Sequence, residues 1–131
     1  MALYSATIEV AHNSGGRTVN ASVTNAAKGR VDIEEEITDG ATDLVIVHPS
    51  IDVSKVKQCF IKSSQQVAIK NTNVGADDEI TLKANVPYWW HEDDYNTLKF
   101  TEDIGVGELT VSNSSGATAI IHFRWIVDTT T

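Results

Sequence analysis

One short stretch of this sequence combines residue types that commonly bind ligands. Within eight residues, two tyrosines and two tryptophans surround a histidine and three carboxylates. An aromatic ring can stack on an apolar ligand face, while a neighbouring carboxylate accepts hydrogen bonds from hydroxyl groups. The stretch therefore predicts an interface or ligand surface. Its candidate residues are Tyr88, Trp89, Trp90, His91, Glu92, Asp93 and Asp94.

The period of a β-strand limits how many of these rings can be exposed together. Successive side chains of a strand point to opposite faces, so Tyr88 and Trp90 share one face and Trp89 occupies the other. We expect one of these faces to enter a core or a subunit interface. The alternatives are a glycan site on the exposed rings and a cation site formed by the three consecutive carboxylates.

The remaining polar residues show no spacing typical of catalysis or metal binding. No nucleophile, base and orienting partner can be assembled from the sequence, which predicts no catalytic residue and no cofactor. The four histidines have no H-x-x-x-H spacing, so we expect no metal site and no enzyme. The single cysteine, Cys59, excludes an internal disulfide and is predicted to be a small buried apolar residue.

Size and charge narrow the class of protein. The chain has 131 residues, which suits one domain, and its formal net charge is −8. A strongly acidic surface repels phosphate backbones, so nucleic acid is not an expected partner. No segment approaches the roughly 18 apolar residues of a membrane span. Residues 1–5 lack the basic and apolar regions of a signal peptide, which predicts a protein that is made and kept in a cytoplasm, or that leaves it inside something else.

Alternating apolar residues predict β-strands throughout the chain. The pattern is longest in residues 117–128, which we expect to form a central strand paired with residues 108–113 across a short turn. Residues 44–47 are continuously apolar, which predicts a strand covered on both faces. Leu98 and Phe100 are expected to lie on a further strand.

The first two alternating segments differ from the others in having small apolar residues. Residues 3–10 and 17–24 predict a hairpin that buries little by itself and packs on the body or on a neighbouring subunit. We therefore divide the chain into an N-terminal arm, residues 1–29, and a β-sandwich domain, residues 30–131. The predicted fold class is an all-β, two-sheet sandwich of jelly-roll type, with an immunoglobulin-like sandwich as the alternative.

Several stretches between residues 39 and 128 follow an order found in small virion proteins. They are Val67-Ala68-Ile69-Lys70-Asn71-Thr72-Asn73, Ile80-Thr81-Leu82-Lys83-Ala84, Pro87-Tyr88-Trp89-Trp90, Leu109-Thr110-Val111-Ser112-Asn113 and Trp125-Ile126-Val127-Asp128. In this order the chain resembles the jelly-roll capsid decoration, or cement, proteins of tailed bacteriophages. The family contributes no catalytic motif to carry over.

The resemblance implies a homotrimer on the outside of the virion. Its partner would be the major capsid protein, its location the capsid surface after synthesis in the host cytoplasm, and its role to stabilise the shell. Two alternatives remain at this point. One is a carbohydrate-binding β-sandwich module that uses the aromatic stretch, and the other is a tail or baseplate component of the same virion.

Overall fold

The chain is built almost entirely from antiparallel strands. A computed structural model describes residues 3–73 and 78–128, and within these ranges it contains ten strands, one short 3-10 turn at Val53–Lys55 and no α-helix. The strands are β1 (Tyr4–Ser14), β2 (Arg17–Ala27), β3 (Gly29–Ile37), β4 (Leu44–Val45), β5 (Val56–Ser63), β6 (Val67–Asn71), β7 (Glu79–Leu82), β8 (Tyr88–His91), β9 (Leu109–Ser112) and β10 (Ala119–Val127).

Eight of these strands form two four-stranded sheets. One sheet has the order β3-β10-β5-β8 and is called here the β10 sheet; the other has the order β4-β9-β6-β7 and is called the β9 sheet. From β3 onward the chain changes sheet at every connection except that between β6 and β7. The apolar faces of the two sheets enclose one core, so the predicted all-β two-sheet sandwich is confirmed.

The closing strand lies at the centre of the β10 sheet, as predicted. β10 pairs with β3 on one side and β5 on the other. Its alternation places Ile121, Phe123 and Trp125 in the core, each with about one per cent of its surface exposed. The ring of Trp125 lies 4.9 Å from that of Phe123 and 5.5 Å from that of Phe100. This aromatic cluster joins the middle of the sheet to the loop before β9.

The predicted pairing of residues 108–113 with the closing strand is wrong. β9 lies in the opposite sheet, between β4 and β6. The segment after β9 therefore passes from one sheet to the other, and the side chain of Asn113 stabilises this connection. Its buried side-chain amide donates to the carbonyl oxygens of Ile37, at 2.9 Å, and Ala117, at 2.8 Å. A short polar link between alternating segments predicts a hairpin, but it can equally connect two layers.

Two further strand predictions are wrong. In residues 44–47 only Leu44–Val45 forms a strand, and Val45 and Val47 are 51% and 84% exposed, so this run is not covered on both faces. Leu98 and Phe100 are buried but belong to no strand. In both cases the sequence shows the apolar residues, but it does not show whether a neighbouring strand pairs with their backbone.

The arm is a separate two-stranded sheet. β1 and β2 pair along their full length, from Tyr4 with Ala27 to Ser14 with Arg17, so the hairpin is longer than predicted. Its tight turn is made by Gly15 and Gly16, whose φ angles of 58° and 78° favour glycine. A single residue, Lys28, separates the end of β2 from the start of β3. The extreme ends of the two predicted units, residues 1–2 and 129–131, lie outside the described residues.

Candidate functional site

Two of the aromatic candidates are part of the sandwich. β8 is the outermost strand of the β10 sheet next to β5, and its Tyr88 and Trp90 are half-buried against the core. The Tyr88 hydroxyl accepts a hydrogen bond from the Lys99 backbone N–H at 3.0 Å. The Trp90 indole donates to the carbonyl oxygen of Asn96 at 2.8 Å. Burial raises the pKa of Tyr88 to about 12. These two rings therefore fix the loop after β8 and are unavailable as a stacking platform.

The third ring lies on the opposite face of the same strand. Trp89 is 36% exposed and stacks with His91, the two rings being 6.2 Å apart and inclined by 18°. Its partner on the neighbouring strand is Phe60, which is half-buried. The outer face of the β10 sheet thus carries a small aromatic surface built from Trp89, His91 and Phe60.

Two of the three carboxylates in the candidate stretch have separate partners within the chain, and Asp93 makes its contact through its backbone. Glu92 pairs with the Lys57 ammonium at 3.0 Å, and this hydrogen bond raises the pKa of Lys57. An Asp94 oxygen accepts from the Asn96 backbone N–H at 2.9 Å. The Asp93 backbone N–H donates to the Nδ1 atom of His91 at 3.2 Å. No three metal-ligating side chains converge in the part of the chain that the structure describes, so the cation alternative gains no support.

A second candidate surface lies where the arm crosses the β10 sheet, and it centres on Gln58. This side chain is 3% exposed, although it points to the outer face of the sheet. Its Nε2 atom donates to the carbonyl oxygen of Ala6 and to Oδ1 of Asn25, both at 3.0 Å, and lies 3.4 Å from the carbonyl oxygen of Val23. The amide therefore attaches both strands of the arm to the body.

A groove of about 390 Å³ runs between the arm and this outer face. The Arg30 guanidinium lies 4.8 Å above the ring of Tyr4 at the base of the arm. Arg124 pairs with Asp32 at 3.4 Å across the sheet, and both side chains are exposed. Because each cation here has a ring or carboxylate beside it, the groove presents mixed polarity and no concentrated charge.

Sequence reasoning did not identify Gln58 or the groove. Gln58 stands in an alternating segment among Lys57, Cys59 and Phe60, where a glutamine predicts a solvated position. No local signal marks it, because the residues that it contacts lie 33 to 52 positions away along the chain. Cys59, by contrast, is fully buried as predicted, and burial raises the pKa of its thiol, which disfavours the thiolate form that a nucleophile needs.

No protein-family model, no curated protein sequence and no solved structure matches this chain. Within residues 3–73 and 78–128, no helix has the length and apolar character that a bilayer crossing requires. Function is therefore inferred from the strand order and from the two candidate surfaces on the outer face of the β10 sheet.

Proposed function

We propose that this chain is a structural protein of a phage virion, which binds the outside of the capsid lattice as a homotrimer and stabilises the shell. The observation that carries the proposal is the strand order, β3-β10-β5-β8 facing β4-β9-β6-β7. It supports a jelly roll, the eight-stranded, two-sheet architecture that occurs in viral capsid and lectin domains. Because one fold hosts many functions, the surfaces must decide between these classes.

The surfaces favour assembly over small-molecule binding. An arm of eleven-residue strands is attached to the body at one end and is exposed over the rest of its length. Such an element can extend or cover a partner's sheet, and several weak contacts of this kind become strong when copies bind a lattice together. A net charge of −8 keeps the free protein soluble before assembly. The proposed lattice partner is the major capsid protein.

A second candidate function rests on the exposed pair of Trp89 and His91. The exposed face of the Trp89 indole is one on which a sugar ring could stack, and the paired Glu92 and Lys57 follow the same strand pair. Carbohydrate binding would have to use the exposed indole of Trp89, because Trp90 packs against the core and donates a hydrogen bond to the Asn96 carbonyl oxygen. A tail or baseplate component would use the same assembly surfaces at another position of the virion.

The oligomeric state separates these candidates. Light scattering at micromolar concentration is expected to give the mass of a trimer, three times 14.2 kDa, or about 43 kDa. A monomer under these conditions would contradict the trimer. Titration of the intrinsic fluorescence with mixed oligosaccharides tests the alternative, with Trp89→Ala as the matched control. A saturable change that this substitution removes would favour carbohydrate binding, and no change leaves the structural proposal ahead.

A further inference from the structure

The arm is amphipathic except next to its turn, where Ser14 and Arg17 lie on the otherwise apolar face, and the body covers only part of that face. The pairing register places one set of side chains on each face of the hairpin. The polar face carries serine, threonine, asparagine and Glu9, together with two exposed alanines. The other face is largely apolar and consists of Tyr4, Ala6, Ile8, Val10, Val19, Ala21, Val23 and Ala27, together with the polar His12, Ser14, Arg17 and Asn25.

Burial along this apolar face falls abruptly towards the turn. At the base, where Gln58 binds the arm, Ile8 is 8% and Ala27 is 6% exposed. Beyond Ile8 the apolar positions are open: Val10 is 41% and Val19 is 69% exposed. We call residues 9–22 the arm tip. The apolar residues of the arm tip continue the alternating pattern of the base of the arm, which packs on the body. In the single chain, no surface of the described residues covers the apolar residues of the arm tip.

The arm tip is long enough to cover a sheet. Each of its strands contributes six residues, which span about 20 Å at 3.4 Å per residue. Four strands spaced about 4.8 Å apart make a sheet about 19 Å wide. An isolated two-stranded ribbon is only marginally stable in water, so contact with a second surface would also stabilise the tip itself.

The distribution of charge favours a second copy of this chain as that surface. Residues 1–27 contain one acid, Glu9, and one base, Arg17, so they are neutral, and the remaining residues carry the whole net charge of −8. Two acidic bodies repel each other when they approach. The neutral arm is the part of one copy that can lie on the body of another without that repulsion.

The receiving surface is the part of the outer β10 sheet that the chain's own arm leaves open. This face already accepts the base of the arm through Gln58 and the buried Ile126. Beyond them it exposes Trp89, at 36%, with the half-buried Phe60 paired beside it, and Ile120, at 39%, further along β10. The polar side chains of Lys62, His122 and Arg124 lie on the same face. We propose that the arm tip of one copy packs its apolar face, led by Val19, on this open face of a second copy. The inference rests on the self-assembly contained in the proposed function.

One pair of substitutions tests the contact in the full-length chain. Val19→Glu places a charge on the apolar face of the tip, and Asn20→Glu places the same charge one residue away on the polar face. Both positions are exposed in the single chain, so neither variant should unfold it, which circular dichroism can verify. We expect Val19→Glu to raise the dissociation constant of self-association about tenfold or more, because it buries an unpaired charge, and Asn20→Glu to change it less than about threefold.

A photo-crosslinking amino acid at position 19 identifies the receiving surface. In a mixture of isotope-labelled and unlabelled copies, mass spectrometry separates links between chains from links within one chain. We expect links between chains, located on β5, β8 or β10. Links confined to one chain, or located on the β9 sheet, would overturn the inference.

The outcomes separate this inference from the proposed function. If the wild type is a trimer and both variants remain trimers with unchanged affinity, the arm contact is wrong and the trimer stands. If only Val19→Glu dissociates, the contact is supported, even where the protein proves absent from capsids. A wild type that remains monomeric throughout the micromolar range would overturn the arm contact together with the trimer.

Discussion

Replacement of Trp125 tests the architecture most severely, because this side chain is at the centre of the core. It is 1% exposed and packs against Phe123 and Phe100. Truncation to alanine removes a large aromatic ring from a site that strands on both sides hold in place, so the cavity can collapse only partly. We expect Trp125→Ala to lower the free energy of unfolding by about 3–5 kcal/mol.

The substitution Trp125→Phe sharpens this prediction. The Nε1 atom of Trp125 is buried and has no acceptor among the described residues. A buried donor without a partner costs about 1–3 kcal/mol, which offsets much of the packing lost with the smaller ring. We therefore expect Trp125→Phe to cost about 1 kcal/mol, far less than the alanine variant.

Urea denaturation at one fixed protein concentration measures both changes, since self-association adds to apparent stability. Arg124→Ala is the matched control, because Arg124 is the next residue of β10, on the outer face, and its exposed pair with Asp32 contributes about 1 kcal/mol or less. A loss below about 1 kcal/mol for Trp125→Ala would place the side chain outside the core and refute this account of the sandwich.

Three further predictions concern the arm and the loop after β8. Gln58→Leu should remove the hydrogen bonds that attach the arm and speed amide hydrogen exchange in β1 and β2 alone; unchanged exchange there would contradict the role of Gln58. Deletion of residues 1–24 should leave a folded body with weaker self-association, whereas failure to fold would make the arm part of the core. Because the pKa of Tyr88 is raised to about 12, its neutral form stabilises the fold below pH about 10, and this contribution is lost as the pH rises towards 12. Tyr88→Phe should therefore reduce the loss of stability in that alkaline range, as measured by denaturation at each pH; an identical pH dependence would contradict the shift.

The alternation of apolar and polar residues was sufficient to predict the strands that bury only one face. The alternation in β10 gave its inward residues, and the same period gave the hairpin of β1 and β2. Side-chain period determines which face is apolar, and that face must find a core. The all-β class follows from the repetition of such segments with polar links between them.

Apart from the hairpin of β1 and β2, the sequence could not predict which strands pair. β9 and β10 are consecutive in the chain but lie in different sheets. The segment between them passes from one sheet to the other, and the Asn113 side chain stabilises it. The pattern of side chains is the same for a hairpin and for a crossover. The apolar run 44–47 likewise predicts a strand covered on both faces, although Val47 is 84% exposed.

The aromatic candidate stretch was predicted in composition but not in geometry, and the surface around Gln58 was not predicted. The sequence identified the aromatic stretch, and strand period placed Tyr88 and Trp90 on one face, yet only the fold shows that this face is the inner one. The attachment of the arm depends on Gln58, which contacts residues 33 to 52 positions away along the chain. Contacts over such distances leave no local pattern.

A reconstruction by electron cryomicroscopy of virus particles isolated from the source of this chain tests the proposed function most directly. The proposed function predicts three-fold symmetric densities on the outer surface of the capsid lattice, each accommodating three copies of the two-sheet body with its arm on a neighbouring copy. A lattice without such densities, or density for this chain confined to the tail, would contradict the proposal.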